Sequence, residues 1–130
     1  MTLDSYNTLQ ATENSKQIAI DFDGVIHRNS KGFHDGTVYD EPVDGAFEAI
    51  KELHSKGYDI VIFTAKAKPD RPLVNEKTGA GLIWEWLEKH QMSSYIKQVT
   101  SEKPRAIAYI DDRGIRFTNW EDTLTYFLNA

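Results

Sequence analysis

The sequence predicts an α/β fold carried on a mainly parallel sheet of about five strands, and three observations lead there. Short apolar runs, Ile18-Ala19-Ile20, Ile60-Val61-Ile62 and Ala106 to Ile110, read as strands buried on both faces. Segments with apolar residues at helical spacing separate those runs. Asp21, Thr64 and Asp111 stand where the runs end, and the carboxyl ends of parallel strands are where open α/β sheets place their ligands. The alternation implies a three-layer Rossmann-like arrangement. Its right-handed crossovers bring every strand's carboxyl end to one face.

The elements follow in order. Residues 1–16 read as a polar N-terminal extension, and 17–130 as a single domain. The first strand covers 17–22. Turn residues Arg28 to Gly32 between two apolar-containing arms, Val25-Ile26-His27 and Phe33 to Tyr39, suggest a β-hairpin flap beyond the strand end. Pro42 and Asp44 open a helix to Lys56, with Ala46, Phe47, Ile50 and Leu53 as its apolar stripe and Gly57 as its stop. Tyr58 to Thr64 is the second strand. Residues 65–78, with two prolines, are irregular. A second helix spans 79–90, burying Leu82, Ile83, Trp86 and Leu87. A weak third strand lies at 96–100, a fourth at 106–110 and a short fifth at 115–117. A final helix is capped by Thr118 or Asn119 and continues through Leu124, Phe127 and Leu128.

Composition narrows the function. The chain has 130 residues, 40% hydrophobic and 27% charged, with a net charge of −5. That length suffices for one real core. The negative balance supplies no general nucleic-acid-binding patch and no attraction to anionic membranes. With no cysteine in the sequence, thiolate catalysis, disulfides and cysteine-bound zinc are excluded. No signal peptide is evident and no apolar run approaches the ~20 residues of a membrane span. The expectation is a cytoplasmic protein; an oligomer is compatible with the sequence.

Asp21, Asp23, Asp111 and Asp112 should therefore converge with Thr64. Like charges ~4 Å apart cost ~4 kcal/mol per pair at an effective dielectric of ~20. Either some are protonated or a cation sits among them. All-oxygen ligands favour a hard ion, and Mg²⁺ is the usual one beside a phosphate. An Asp can act as nucleophile toward phosphorus, and a second acid can protonate the leaving oxygen and then activate water. Thr64 and Lys103 supply a hydroxyl and a positive charge suited to phosphoryl oxygens.

Asp21-Phe-Asp-Gly-Val, the strand ending in Thr64, Lys103, and the strand ending in Asp111-Asp112-Arg113 resemble the four motifs of the haloacid dehalogenase superfamily, in that family's order. The resemblance covers residues 17–117 and is closest to the phosphatase branch, with a nucleotidase-like ending. It implies that Asp21 is the nucleophile and Asp23 the general acid/base, while Thr64 and Lys103 hold the phosphoryl group. It further implies that Asp21, the Asp23 carbonyl and the Asp111-Asp112 pair bind Mg²⁺, with Asp112 as the direct ligand and Asp111 as its support. Lys103 sits only eight residues before Asp111, at the close end of the family's spacing. The intervals that hold cap domains in other members are too short here, so the resemblance implies a capless member open to a small phosphomonoester, a nucleotide or a nucleic-acid end. A catalytically silent binding module is the competing reading. A phosphotransferase is another, though it needs a cap to exclude water. A receiver domain shares residue types but not their order, and no P-loop motif is present.

Other residues carry weaker signals. His27 and His34 either touch substrate or are solvated residues of the flap. His54 and His90, late in helices, are expected at the surface or near the helix dipoles. Trp86 belongs to the core and Trp84 to the surface or an interface. Lys66, Lys68 and Arg71 either receive a phosphate-bearing substrate or form an ordinary charged loop. Arg113 pairs with a carboxylate, and Tyr109 is an interior strand residue.

Overall fold

The computed structural model describes residues 16–102, 104, 106–111 and 115–128; of the expected N-terminal extension only Lys16 falls within them. β-Branched Ile and Val dominate the strands because they pack well on a pleated surface. β1 (Gln17–Asp21) is central, between β2 (Asp59–Phe63) and β4 (Ala108–Asp111). β3 (Ile96–Thr100) and β5 (Ile115–Arg116) are the edges, giving the order β3-β2-β1-β4-β5 with every pairing parallel. Ile20 is the register partner of both Ile62 and Ile110. The carboxyl ends of the three central strands therefore finish level.

Three α-helices are found among the described residues: α1 (Ala46–Ser55), α2 (Gly79–Lys89) and α3 (Trp120–Leu128). Short 3₁₀ turns at Ala65–Ala67 and Ser93–Tyr95 were not expected from the sequence. Ile18, Ile20, Ile60, Ile62 and Ile110 share one core cluster with Ile50 and Leu53 of α1, Ile83 and Leu87 of α2, and Trp120 and Phe127 of α3. Ala19 and Val61, at the alternate strand positions, are buried outside that cluster. The third layer that the sequence predicts would cover them, whereas all three described helices join the first cluster. None of these helices is long and apolar enough to cross a membrane.

Helix ends depart from expectation at one point. α1 is not opened by the Asp44 side chain, which pairs with Arg28 instead. Gly45, at φ +83°, precedes its first turn with no side-chain cap. The other starts are capped as their residue types suggest. Thr78 accepts from the Gly81 amide at 3.0 Å, and Asn119 accepts from the Asp122 amide at 2.8 Å.

The entry to α2 fixes the 65–78 segment against the strand ends. A Cβ on Gly79 would lie 1.7 Å from the Lys66 carbonyl oxygen, so only glycine permits this approach. Gly79→Ala is expected to destabilise the fold by about 3 kcal/mol or more, read from urea denaturation. Gly32→Ala, whose Cβ meets nothing within 4 Å but whose φ of +64° strains any side chain, is the comparison: it should cost only the ~1 kcal/mol of a left-handed backbone, well short of the Gly79 variant. Equal stability of the Gly79 variant and wild type would show that the close approach is not enforced.

Candidate functional site

Asp21 is the last residue of β1 and its Oδ1 accepts the Phe22 amide at 2.8 Å. The chain then turns tightly. The Phe22 carbonyl accepts from the amides of Val25, Ile26 and His27, and the His27 carbonyl accepts from Gly24, whose φ is +83°. Phe22 is fully buried and anchors the turn. The bonds that close it use the carbonyls of Phe22 and His27, not that of Asp23. The turn thereby lifts the Asp23 side chain above the sheet edge, 26% exposed.

Asp23 is held by two partners. Its Oδ1 lies 2.9 Å from His27 Nδ1 and 3.1 Å from Lys66 Nζ. The sequence reading of His27 as a solvated flap residue is wrong: it is 0% exposed. Its ring stacks on Phe22 at 5.3 Å and meets Trp86 edge-on at 5.6 Å. His27 Nε2 accepts the Asp40 amide at 3.0 Å. An acceptor nitrogen carries no proton, so the ring proton sits on Nδ1 and is donated to Asp23. Burial pushes the Asp23 carboxyl up. The His27 hydrogen bond and the Lys66 charge outweigh that and leave it below its ordinary value.

Lys66 also departs from the charged loop that the sequence suggested. Its side chain is 9% exposed and spans from the 3₁₀ turn to Asp23. Thr64, 5% exposed and one residue beyond β2, accepts the Lys66 amide at 3.2 Å, while its own amide donates to Thr100. Phe63 is the register partner of Asp21, so Thr64 sits one step past the nucleophile candidate on the adjacent strand. Asp111 ends β4, one residue past the Ile20–Ile110 pair. Asp21, Thr64 and Asp111 thus occupy the carboxyl edge of three neighbouring strands. Lys103, Asp112 and Arg113 lie outside the described residues.

The flap does not form as a β-hairpin. One antiparallel bridge, His27 to Pro42, closes its base beyond the expected second arm, and the rest is a loop tied by polar bonds. Ser30 donates through both Oγ (2.5 Å) and its amide (2.9 Å) to Asp40 Oδ2. Tyr39 Oη accepts from the Lys31 amide at 2.7 Å and donates to the Gly32 carbonyl at 2.8 Å. Trp86 Nε1 donates to the Asp40 carbonyl at 2.8 Å, pinning the loop to α2. The Ser30 bonds hold the Asp40 carboxyl down to about 2. His34 and His54 are exposed and lie against Tyr39 and Tyr95. His90 sits 4.6 Å from Trp86, and its burial lowers its pKa. Trp86 is core as expected, 4% exposed, while Trp84 packs partly buried against the core.

Among the described residues no cluster of three metal-ligating acids, histidines or cysteines is present. An all-carboxylate site formed by the four aspartates needs Asp112, which those residues do not include. No family model, curated protein or solved structure matches the chain.

His27→Phe preserves ring volume while removing both hydrogen bonds. It is expected to cost about 2–4 kcal/mol, because the Asp40 amide loses its acceptor and Asp23 a donor. It should also raise the Asp23 pKa, read by carboxyl-carbon NMR titration. An unmoved Asp23 titration would contradict the assigned bond.

The lowered Asp40 value sets a pH window. Its contribution to stability is complete above the ordinary 3.8 and is lost as pH falls toward about 2. Asp40→Asn should therefore be less stable than wild type at pH 6, and the gap should close as pH falls through that range. A gap independent of pH would show that the Asp40 charge does not hold the loop.

Proposed function

We propose that this chain is a Mg²⁺-dependent phosphohydrolase of the haloacid dehalogenase type, cleaving phosphomonoesters through a phosphoaspartate on Asp21. The observation that carries this reading is the placement of Asp21 and Asp23 at the carboxyl end of the central strand, beside Thr64, with the buried Lys66 already on the second acid. Asp21, the Asp23 carbonyl, Asp111 and Asp112 would hold the ion. The donor set is all oxygen, as a hard cation requires, and the turn's own bonds leave the Asp23 carbonyl out. Mg²⁺ there would offset the carboxylate repulsion and polarise a phosphoryl oxygen.

The residues divide the work as follows. An Asp21 carboxylate oxygen forms a bond to phosphorus as the ester P–O bond breaks, and Asp23 gives its proton to the departing oxygen. Water then forms a new P–O bond, passing its proton back to Asp23, while the Asp21–phosphorus bond breaks and inorganic phosphate leaves. Thr64 and Lys66 offer a hydroxyl and a charge to the phosphoryl oxygens, with Lys103 as the further cation implied by the motif order.

Asp23 must be protonated before the first step, yet in this structure it is paired as a carboxylate. An arriving phosphate dianion resolves the conflict. It draws the Lys66 ammonium toward itself and places negative charge near Asp23; both changes raise the Asp23 pKa. The acid is thereby charged for use only when substrate is present.

A non-catalytic phosphate-binding module is the second reading, favoured by the fact that Asp23 already has two partners. It predicts thermal stabilisation by Mg²⁺ or phosphate with no turnover. The hydrolase reading predicts Mg²⁺-dependent, EDTA-sensitive release of phosphate from an aryl phosphate, reduced at least about 1,000-fold in Asp21→Asn. Lys66→Met should weaken inhibition by inorganic phosphate and raise the pH at which Asp23 titrates. Full activity in Asp21→Asn would overturn the mechanism.

A further inference from the structure

The loop over residues 28–45 and the segment 65–79 face each other across a pocket of about 100 Å³. Phe33, Val38, Val74 and Leu82 form its apolar walls, and Lys66 and Arg71 are its cations. Lys66 connects the pocket to the acids, since it lines the pocket and its Nζ lies 3.1 Å from Asp23 Oδ1. At the mouth the Arg71 guanidinium lies 5.4 Å over the Phe33 ring, which is 58% exposed. An apolar hollow that shares a lysine with the acid site suits a ligand that joins an anion to a compact hydrophobic group.

Size and shape narrow that group. A sealed apolar cavity of about 150 Å³ encloses benzene; this hollow is smaller, about 100 Å³, and open to solvent, so it takes at most one six-membered ring, partly enclosed with an edge at the opening. The Phe33 face and the Arg71 plane beside it favour a flat, unsaturated ring over an alkyl chain. Resting on the phosphohydrolase reading, we propose that this pocket receives the leaving group. The substrate is then a phosphomonoester whose alcohol carries a single unsaturated ring close to the ester oxygen. Hydrolysis proceeds as above, and the ring-bearing alcohol departs through the open side of the pocket.

Benzyl phosphate and ethyl phosphate test this, because both release a primary alcohol and differ mainly in the ring. With Mg²⁺, wild type is expected to favour benzyl phosphate by about tenfold or more in kcat/KM. Val74→Phe, which fills the pocket, and Phe33→Ala, at an exposed position that the fold tolerates, should each bring the ratio toward one. Benzyl alcohol alone should shift the methyl NMR signals of Val38, Val74 and Leu82 in wild type, and not in Val74→Phe. Hydrolysis of both esters at equal efficiency, with no methyl shifts, would overturn the ring pocket and leave the hydrolase reading standing. Methyl shifts without hydrolysis of either ester would overturn the hydrolase reading, and with it the leaving-group role, while keeping the pocket as a ring-binding site.

Discussion

The Asp23 carboxylate accepts from a buried neutral imidazole on one side and pairs with a nearly buried ammonium on the other, and much of the surrounding structure follows from satisfying those groups. A buried Lys66 without an anion would be expensive, and a carboxylate at a strand end without partners would repel its neighbour Asp21. Because His27 hands its second nitrogen to the Asp40 amide, the requirement spreads to the loop over residues 28–45. Because Gly79 packs on the Lys66 carbonyl, it spreads also to the start of α2. The turn at 22–27, the loop that follows it and the distant segment 65–79 are thereby held around one oxygen atom.

That arrangement explains which features could be read from the sequence. Parallel strands buried on both faces write themselves as apolar runs, so Ile18 to Ile20 and Ile60 to Ile62 were legible, and β3 was found at its observed bounds. The acids were legible because a charge directly after such a run has few structural uses. His27 was not. It is followed by Arg28, Asn29 and Ser30, which read as a turn, and its burial depends on Phe22, Tyr39 and Trp86 closing round it in three dimensions. The one local signal was its position four residues after Asp23, within reach across a tight turn. Lys66 was hidden for a related reason. Its neighbours Ala65 and Ala67 look like loop filler, yet the lysine is buried by a segment that only Gly79 allows to come close.

The flap failed as a hairpin for a physical reason that alternation could not reveal. The Asp35 carboxylate accepts the Thr37 amide and hydroxyl, the Asp40 carboxylate accepts those of Ser30, and Tyr39 donates to the Gly32 carbonyl; such local bonds compete with a strand ladder. The resulting loop is bound to α2 through Trp86 and to the turn through His27. Its apolar residues Phe33 and Val38 are thereby left facing Val74 and Leu82 across the pocket. A net charge of −5 conceals the pairing of Lys66 with Asp23 and the cation Arg71 on the same pocket. Whole-chain charge is silent about a site of this size.

Covalent phosphorylation of Asp21 is the step on which the proposed hydrolysis depends. Rapid quenching of wild type during turnover of an aryl phosphate, followed by borohydride reduction and peptide mass spectrometry, converts an acyl phosphate into an alcohol and reports its position. Homoserine is expected at position 21, formed only when substrate and Mg²⁺ are both present. Steady turnover with residue 21 recovered only as aspartate, and the reduced alcohol found at Asp23 or another acid, would contradict it.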